Sequence, residues 1–217
     1  MIVTAISDLH GDASRFPLIA DDLAAADIVL ITGDVTHFGR RDAARKMIET
    51  LRAFNEKILA VPGNCDYPEV GAYLSEEEIN LDDSHRVIDG IAFLGVGGSL
   101  PCPGGTPYEM SDDRMGKRLD AAAEGLDPAL PLVLVTHQPP LDTGADRLGS
   151  GAHVGSATLR AFIEERAPLV CFSGHIHEAR GTDSIGPTGI ANPGPLGRGC
   201  HTFAVLSDKI ETLEIRS

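Results

Sequence analysis

Aspartate, histidine and asparagine recur in this sequence directly after short apolar runs. Residues 28–31 read Ile-Val-Leu-Ile, and the Thr-Gly-Asp that follows ends in Asp34. A short apolar run bounded by a turn signal is typical of a buried central strand. The carboxylate of Asp34 would then lie just past the strand's carboxyl end, where ligands collect in open α/β sheets. Taken alone, Asp34 would also fit a helix cap or a turn.

Four other apolar runs also end in residues that can bind metal ions. The complete set is Asp8, His10, Asp34, Asn64, His137, His175 and His177. A single member such as His137 is typical of a structural histidine, so the signal lies in the joint pattern. Parallel strands bring their carboxyl ends to a common edge, and we therefore expect these side chains to converge.

Four imidazoles, two carboxylates and one amide are too many ligands for one tetrahedral ion. They suit two divalent cations with mixed nitrogen and oxygen ligands, with manganese the first choice and iron, zinc or nickel as alternatives. Two cations roughly 3.5–4 Å apart clamp a phosphate for in-line displacement and lower the pKa of a bridging water. One carboxylate must bridge them, and Asp34 is the candidate because its strand is flanked by the others.

The elements that must position these residues follow from hydrophobic period and turn signals. Strands are predicted at 2–6, 28–32 and 57–61, and helices at 14–26, with Ser14 as N-cap, and at 40–55. Strand, helix, strand, helix, strand is the pattern of a parallel sheet with right-handed crossovers.

The remaining sequence predicts further strands, two helices and two long loops. The helices are expected at 111–124 and 156–166, the loops at 97–107 and 141–155, and the strands at 86–88, 91–94, 132–136 and 169–172. Asp89-Gly90 is a strong hairpin signal. Four short strands between residues 182 and 215 are expected to form an antiparallel meander that completes a second sheet. No linker or repeat divides the chain, so one domain spanning 1–217 is predicted.

Composition limits the classes of function. With 42% hydrophobic residues the chain can bury a sizeable core, and its net charge of −14 disfavours nonspecific binding to nucleic acid or anionic membranes. A phosphate substrate stays compatible, because bound cations reverse the local field. The four cysteines have no disulfide spacing. Because neither a signal peptide nor an apolar run of roughly 20 residues is visible, a cytoplasmic protein without a membrane span is expected.

The ordered motifs resemble those of the calcineurin-like metallophosphoesterase superfamily. These motifs are Asp8-x-His10, Gly33-Asp34, Gly63-Asn64, His137 and Gly174-His175-x-His177. The resemblance implies an α/β fold (α+β in some schemes), a four-layer αββα sandwich of two mixed β-sheets flanked by helices. It implies one metal held by Asp8, His10, Asp34 and His177, and a second held by Asp34, Asn64, His137 and His175. Residues 31–39, 98–107 and 192–196 resemble the branch of predicted phosphoesterases related to the Icc cyclic-nucleotide phosphodiesterases.

Cys65 departs from the family pattern, in which a histidine follows the asparagine and assists the leaving group. A thiol with a reference pKa of about 8.5 is a weak donor. The resemblance extends to a branch that carries Gly-Asn-Cys-Asp, whose members resemble phosphodiesterases, so Cys65 leaves metal binding intact but puts acid assistance in doubt. The alternative is that Cys65 is merely a small packed residue. His37 and His153 are candidate substitute donors, and each is also open to interpretation as a solvated loop histidine.

Some other polar residues are candidates for supporting roles. Asp66 and Asp12 are candidates to orient the metal ligands, because metal-bound imidazoles usually donate their second N–H to a carboxylate or carbonyl. Arg198 and Arg147 lie on glycine-rich loops and are candidates to hold a phosphate oxygen, although a surface arginine is the simpler interpretation.

The first hypothesis is a metal-dependent phosphohydrolase, a phosphodiesterase that acts on a small phosphodiester such as a cyclic nucleotide by in-line attack of a metal-bridging hydroxide. The catalytic residues would be Asp34, Asn64, His37 and Cys65. The alternative is a noncatalytic scaffold of the same fold for protein–protein interaction, and a third idea, a mononuclear zinc hydrolase, needs only three or four ligands. A nucleic-acid polymer is disfavoured as substrate. The long loops are expected either to close over substrate or to form a homodimer contact.

Overall fold

Eleven strands form two mixed β-sheets in the computed structural model, which describes residues 1–217. The strands are β1 (Ile2–Ile6), β2 (Ile28–Thr32), β3 (Ile58–Val61), β4 (Ser84–Ile88), β5 (Ile91–Val96), β6 (Leu132–Thr136), β7 (Val170–Phe172), β8 (Gly181–Ile185), β9 (Thr188–Asn192), β10 (His201–Leu206) and β11 (Ile210–Arg216). The helices are α1 (Ala20–Ala25), α2 (Arg41–Arg52), α3 (Pro68–Glu76), α4 (Asp112–Ala122) and α5 (Ala157–Arg166), with short 3₁₀ segments at Phe16–Ile19 and Leu196–Arg198.

The first sheet has the strand order β11-β10-β1-β2-β3, and the second has the order β4-β5-β6-β7-β9-β8. In the first, β1, β2 and β3 are parallel, and β10 pairs with β1 in the antiparallel sense. In the second, β5, β6, β7 and β9 are parallel, with antiparallel β4 and β8 at the two edges. Each sheet therefore contributes a parallel core whose carboxyl ends form one edge.

Three buried apolar clusters define the layers. One lies between the sheets and includes Val3, Leu30, Phe93, Val135 and Phe172. A second joins the outer face of the first sheet to α1, α2 and α3, and a third joins the outer face of the second sheet to α4 and α5. The fold is thus an αββα sandwich, which confirms what the family resemblance implied, and its core depends on aliphatic side chains because tryptophan is absent.

Local sequence explains the helices that were predicted. Helix α2 buries Ala44, Met47, Ile48 and Leu51, which recur at the helical spacing of one face. Ser111 and Ser156 precede α4 and α5, and the side chain of each accepts a hydrogen bond from a backbone N–H in the first turn.

The first predicted helix is wrong in its extent. Residues 14–26 form a 3₁₀ segment at Phe16–Ile19 and the short helix α1, and Ser14 caps neither. Pro17 lies in the first turn of the 3₁₀ segment, a position it tolerates because its missing N–H has no partner there. Helix α3 was not predicted, although Pro68 at its start and the buried pair Val70 and Leu74 were the available signals.

The predicted C-terminal meander is also wrong. Strands β8 and β9 join the second sheet, whereas β10 and β11 return to the first sheet beside β1. Without β10, one side of β1 would present unpaired backbone groups, which is costly at a buried position. The chain therefore closes on itself, since its last strands complete the sheet that its first strand begins. None of the helices is long and apolar enough to cross a bilayer.

Candidate metal centre

The loops that follow β1 and β2 run side by side beyond the strand ends. The backbone N–H of Asp8 donates to the carbonyl of Gly33 at 3.1 Å, and that of His10 donates to the carbonyl of Asp34 at 2.9 Å. The parallel pairing of the two strands thus continues into the polar residues. This backbone pairing fixes the positions of three predicted ligands, Asp8, His10 and Asp34.

Asp8, His10 and His177 form one group of converging side chains. Oδ1 of Asp8 lies 3.2 Å from Nε2 of His177, which in turn lies 3.3 Å from Nε2 of His10. The other oxygen of Asp8 accepts a hydrogen bond from the backbone N–H of His175 at 3.2 Å. One carboxylate thereby connects the loop after β1 to the loop after β7.

Asn64, His137 and His175 form a second group. Nε2 of His137 lies 2.9 Å from Oδ1 of Asn64, and the rings of His137 and His175 are 5.1 Å apart between centroids. Nε2 of His175 also lies 3.5 Å from the Sγ atom of Cys102, a contact that no sequence pattern predicted.

Asp34 lies between the two groups, and each of its oxygens faces a different one. Oδ2 is 3.8 Å from Nε2 of His10, and Oδ1 is 3.5 Å from Nε2 of His137. Oδ1 also accepts the backbone N–H of Cys65 at 2.8 Å, which fixes the carboxylate plane. The structure therefore brings the seven predicted ligands together around Asp34, and ligand atoms of Asp8, Asp34 and His137 also lie within 4.8 Å of one another.

The seven residues come from both sheets. Asp8, His10, Asp34 and Asn64 follow β1, β2 and β3 of the first sheet, whereas His137, His175 and His177 follow β6 and β7 of the second. We expected these side chains to converge at the edge of one sheet. In the structure, they converge where the carboxyl edges of the two sheets face each other.

Two glycines before the predicted ligands are required by close contact. A Cβ atom on Gly63 would lie 2.1 Å from the backbone nitrogen and Oδ1 of Asp34, and one on Gly174 would lie 1.8 Å from Oγ of Ser7 and 2.9 Å from Oδ2 of Asp8. Neither position has room for a side chain. Tight packing of these loops therefore requires a glycine before Asn64 and before His175.

Four of the ten non-glycine residues with positive φ angles are predicted ligands at this centre. Asp8, His10, Asp34 and His175 have φ angles of 52°, 48°, 50° and 67°, in the left-handed region that non-glycine residues rarely occupy. Such conformations persist where the surrounding structure imposes them, and they cluster at functional sites. Here four of the predicted ligands have this conformation.

The pKa shifts of Asp8, His10 and His175 favour the forms that bind a cation, whereas the hydrogen bond to Asp8 raises the pKa of His177. Burial opposes ionisation of Asp8, but its hydrogen bond from His177 and the nearby imidazoles outweigh this and lower its pKa to about 2. Burial, reinforced by His137, lowers the pKa of His175 to about 3, and burial also lowers the pKa of His10. Ionised carboxylates and neutral imidazoles are the forms that coordinate a cation.

The contacts of His137 fit a bound cation. Nδ1 lies 2.8 Å from the carbonyl oxygen of Thr32, and because a carbonyl only accepts, Nδ1 carries the proton. In the neutral ring, Nε2 then presents a lone pair to Oδ1 of Asn64, which is also an acceptor. Two acceptors aimed at one point are compatible with a cation that both can bind, and the donation to Thr32 is the usual second contact of a metal-bound histidine.

Cys65 and His37 border the centre differently. Cys65 is buried, and its thiol shares a cluster with His10 and Asp34 in which the candidate ligand atoms all lie within 4.8 Å of one another. Burial and then the charge of Asp34 raise its pKa above the usual range for a thiol. His37 is exposed, and its ring lies 5.4 Å from that of His10. Of these two residues, only His37 is open to solvent.

The contacts of Asp66 differ from those predicted for a residue that orients a metal ligand. Its two oxygens accept the backbone N–H groups of Val35, Thr36 and Gly63 at 2.8–3.0 Å, so it fastens the loop after β2 to the loop after β3 rather than orienting an imidazole. Burial and the charge of Asp34 raise its pKa to about 6. Asp12 accepts only the N–H of Ser14, in a local turn.

The remaining candidates lie at the rim. His153 pairs with Asp146 at 2.6 Å, inside the loop that follows β6, and Arg147 forms an isolated bridge with His153 there. Arg198 donates to the carbonyl of His177 at 3.2 Å and so lies beside the centre. Of the two arginines, only Arg198 contacts a predicted ligand.

Asn192 is a supporting residue that the sequence did not single out for this role. It is fully buried at the end of β9, and its amide nitrogen donates to the carbonyls of Gly174 and Ile176 at 3.3 and 3.0 Å. These contacts hold the turn that carries His175 and His177. Its position directly before Pro193 and Gly194, after an apolar strand, was the available signal.

Comparison with known proteins agrees with this geometry. The sequence model of the calcineurin-like phosphoesterase family matches residues 1–179. An uncharacterized protein of Methanocaldococcus jannaschii, MJ1162, is 36% identical over 199 residues, which cover 90% of this chain and 88% of that protein. Among solved structures, TT1561 of Thermus thermophilus superposes with a TM-score of 0.75 at 20% identity, covering 97% of this chain and 96% of that one.

A dimetal phosphatase from Danio rerio shares the fold as well, with a TM-score of 0.67 at 12% identity, covering 99% of this chain and 96% of that one. The fold and the converging Asp and His side chains define a metallophosphoesterase. The chain belongs to the calcineurin-like phosphoesterase family, whose members use divalent metals in a dinuclear site to hydrolyse phosphoesters.

Proposed function

We propose that this chain is a phosphodiesterase that hydrolyses a small phosphodiester at a dinuclear centre, with residues 1–217 as one catalytic domain. The observation that carries the proposal is the position of Asp34. Its two oxygens face different imidazoles, Oδ2 that of His10 and Oδ1 that of His137, and the other predicted ligands surround these two contacts. A carboxylate shared by two cations must be placed in this way.

The proposed ligand sets follow from the two groups. Asp8, His10 and His177 would hold one cation with Asp34, and Asn64, His137 and His175 would hold the other with Asp34. The mixed imidazole and carboxylate set suits manganese, with iron, zinc or nickel as alternatives. When bound, two such cations supply Lewis acidity toward the phosphate and a hydroxide nucleophile near neutral pH.

Proton transfer to the leaving group is assigned to His37. The raised pKa of Cys65 keeps its thiol protonated and makes it a poor proton donor to a departing oxygen. His37 is exposed beside His10, so a substrate oxygen can reach it. We assign Cys65 the task of filling space and holding Asp34 through its backbone N–H.

A small substrate is favoured by charge. The chain carries a net charge of −14, and polyanions require a positive field over an extended surface. Arg198 at the rim is the cation that we assign to a nonbridging phosphate oxygen, since it already lies against His177.

The test is hydrolysis of bis-p-nitrophenyl phosphate by protein loaded with Mn²⁺, together with metal analysis of the purified protein. Asp34→Asn should lose at least about a hundredfold in kcat and about one bound metal per chain, whereas Asp12→Asn, an exposed carboxylate close to His10 in the chain, should change neither. Fully metal-loaded protein without turnover of any diester or monoester would overturn the proposal and leave the scaffold hypothesis.

A further inference from the structure

Phe38 combines two features that are unfavourable for a large apolar residue. Its side chain is 45% exposed, although large apolar residues gain free energy from burial. Its φ angle is 54°, in the left-handed region that is strained for a bulky residue. Backbone strain of this kind persists where the surrounding structure imposes it, and it clusters at functional sites.

The conformation of Phe38 is imposed by a rigid loop. The backbone N–H of Gly39 donates to Oγ1 of Thr36 at 3.1 Å, and Oγ1 of Thr36 donates to Oδ1 of Asp66 at 2.7 Å. Asp66 is buried and also anchors Val35 and Gly63. The exposed ring therefore projects from a loop that is fixed at both sides.

The ring lies beside the candidate metal centre. Its centroid is 4.9 Å from that of His37, edge to face, and the ring of His37 is 5.4 Å from that of His10. Two other large apolar side chains are exposed, Leu18 in the first 3₁₀ segment and Val87 in β4, and neither is next to a predicted ligand.

We propose that Phe38 is a specificity-determining residue whose ring stacks on a planar aromatic group of the phosphoester, of which a nucleobase is the test case. The inference rests on the proposed phosphoesterase function, which places the phosphate next to His10. An aromatic face held open at a fixed position loses little conformational entropy on binding, and it accepts any base because every base has a π face.

The experiment compares two phosphates that differ only by a base. Calorimetric titration of Mn²⁺-loaded protein with AMP and with ribose 5-phosphate should show that AMP binds about 5- to 100-fold more tightly. Phe38→Ala should remove this difference by weakening AMP alone, and Phe38→Tyr should retain it. Leu18→Ala, which removes an exposed apolar side chain elsewhere, should leave both affinities unchanged.

A stability measurement separates this role from a structural one. Phe38→Gly relieves the left-handed strain, so its melting temperature should rise by about 2–4 °C while the preference for AMP is lost. A lower melting temperature would show that Phe38 stabilises the fold and would overturn the inference.

The binding results also distinguish failure of the inference from failure of the proposed function. Equal affinities of the native protein for the two compounds, or equal weakening of both by Phe38→Ala, would overturn the inference alone. Absence of binding by either compound to Mn²⁺-loaded protein would also overturn the inference, whereas the proposed function is overturned only by absence of turnover in the hydrolysis assay.

Discussion

At the scale of single residues, the structure distinguishes Cys65 from His37, two side chains that the sequence left as candidates to protonate the leaving group. Cys65 occupies the position next to Asn64, but it is buried, and the charge of Asp34 helps to raise the pKa of its thiol and keep it protonated. His37 is exposed and lies near His10. A group that protonates a leaving oxygen must reach the substrate and exchange protons, which favours His37.

We predict that His37→Gln lowers kcat for diesters with alkoxide leaving groups by about a hundredfold, and for bis-p-nitrophenyl phosphate by much less. An alkoxide needs a proton as it departs, whereas p-nitrophenolate does not, and general acid catalysis is worth about 10²–10⁴ in rate. Steady-state rates on the two kinds of diester measure this difference.

The matched control is Cys65→Ser, which should keep both rates within about threefold because the thiol donates no proton. Equal losses on the two substrates in His37→Gln would contradict the assignment of His37 as the acid.

At the scale of elements, α4 is connected to the loops of the centre by a half-buried cluster of hydrogen bonds. Arg118 donates to both oxygens of Asp82 at 3.0 and 3.1 Å, and the hydroxyl of Tyr108 donates to Asp82 at 2.7 Å. The backbone N–H of Tyr108 in turn donates to the carbonyl of Asn64 at 3.1 Å. Helix α4 is therefore connected to a predicted ligand through Asp82 and Tyr108.

We predict that Arg118→Met lowers the free energy of unfolding by about 3–5 kcal/mol at pH 7, because it leaves Asp82 charged and buried with less compensation. Burial already raises the pKa of Asp82, against the opposing effect of Arg118. A raised folded-state pKa means that the cost of this carboxylate disappears as pH falls and it takes up a proton. The loss should therefore shrink toward about pH 4, near the ordinary pKa of an aspartate, as measured by urea unfolding at both pH values.

Arg45→Met is the control for this prediction, since the ion pair of Arg45 with Asp42 is exposed on α2 and such pairs contribute about 0–1 kcal/mol. A loss at pH 7 no larger than that of Arg45→Met would show that the Arg118 cluster does not stabilise the fold.

Helix α5 ends at a residue poorly suited to its conformation. Ala167 follows the helix with φ 45° and ψ 54°, and it is exposed. Glycine is the usual residue at such a left-handed C-terminal position. We predict that Ala167→Gly stabilises the protein by about 0.5–1 kcal/mol, raising the melting temperature by about 1–4 °C. An unchanged or lower melting temperature in a thermal unfolding scan would contradict this.

At the scale of the whole molecule, the candidate centre joins the two halves of the sandwich. Its predicted ligands come from the carboxyl edges of both sheets, and the apolar cluster between the sheets holds those edges opposite each other. A cation site built by residues of both sheets is absent from the unfolded state, so the binding free energy of the cation adds to the stability of the fold.

We predict that saturating Mn²⁺ raises the melting temperature of chelator-treated protein by about 5–10 °C, the shift expected at about 100-fold excess over the dissociation constant. Differential scanning fluorimetry with and without EDTA measures it. Asp34→Asn should lose most of the shift and Asp12→Asn none of it. The same shift in both variants would place the stabilising metal elsewhere.

The amino-acid sequence determined the types of ligand, their order and the local elements that carry them. Apolar runs that end at Asp34 or His137, the spacing of Met47 and Leu51, and the caps at Ser111 and Ser156 all depend on neighbours in the chain, so their physical causes are local. These patterns were sufficient to predict a parallel α/β core and the residues that converge, and the resemblance of the ordered motifs to the calcineurin-like family implied the αββα fold.

Only the tertiary structure decided features that depend on distant parts of the chain. Which sheet receives β10 and β11 depends on the open edge of β1, and the division of ligands between two facing sheet edges depends on the apolar layer between them. The burial of Cys65 and the left-handed strain at Asp34 and Phe38 arise from packing of loops far apart in sequence. No local pattern encodes them, because burial and strain at these positions are imposed by segments that become neighbours only on folding.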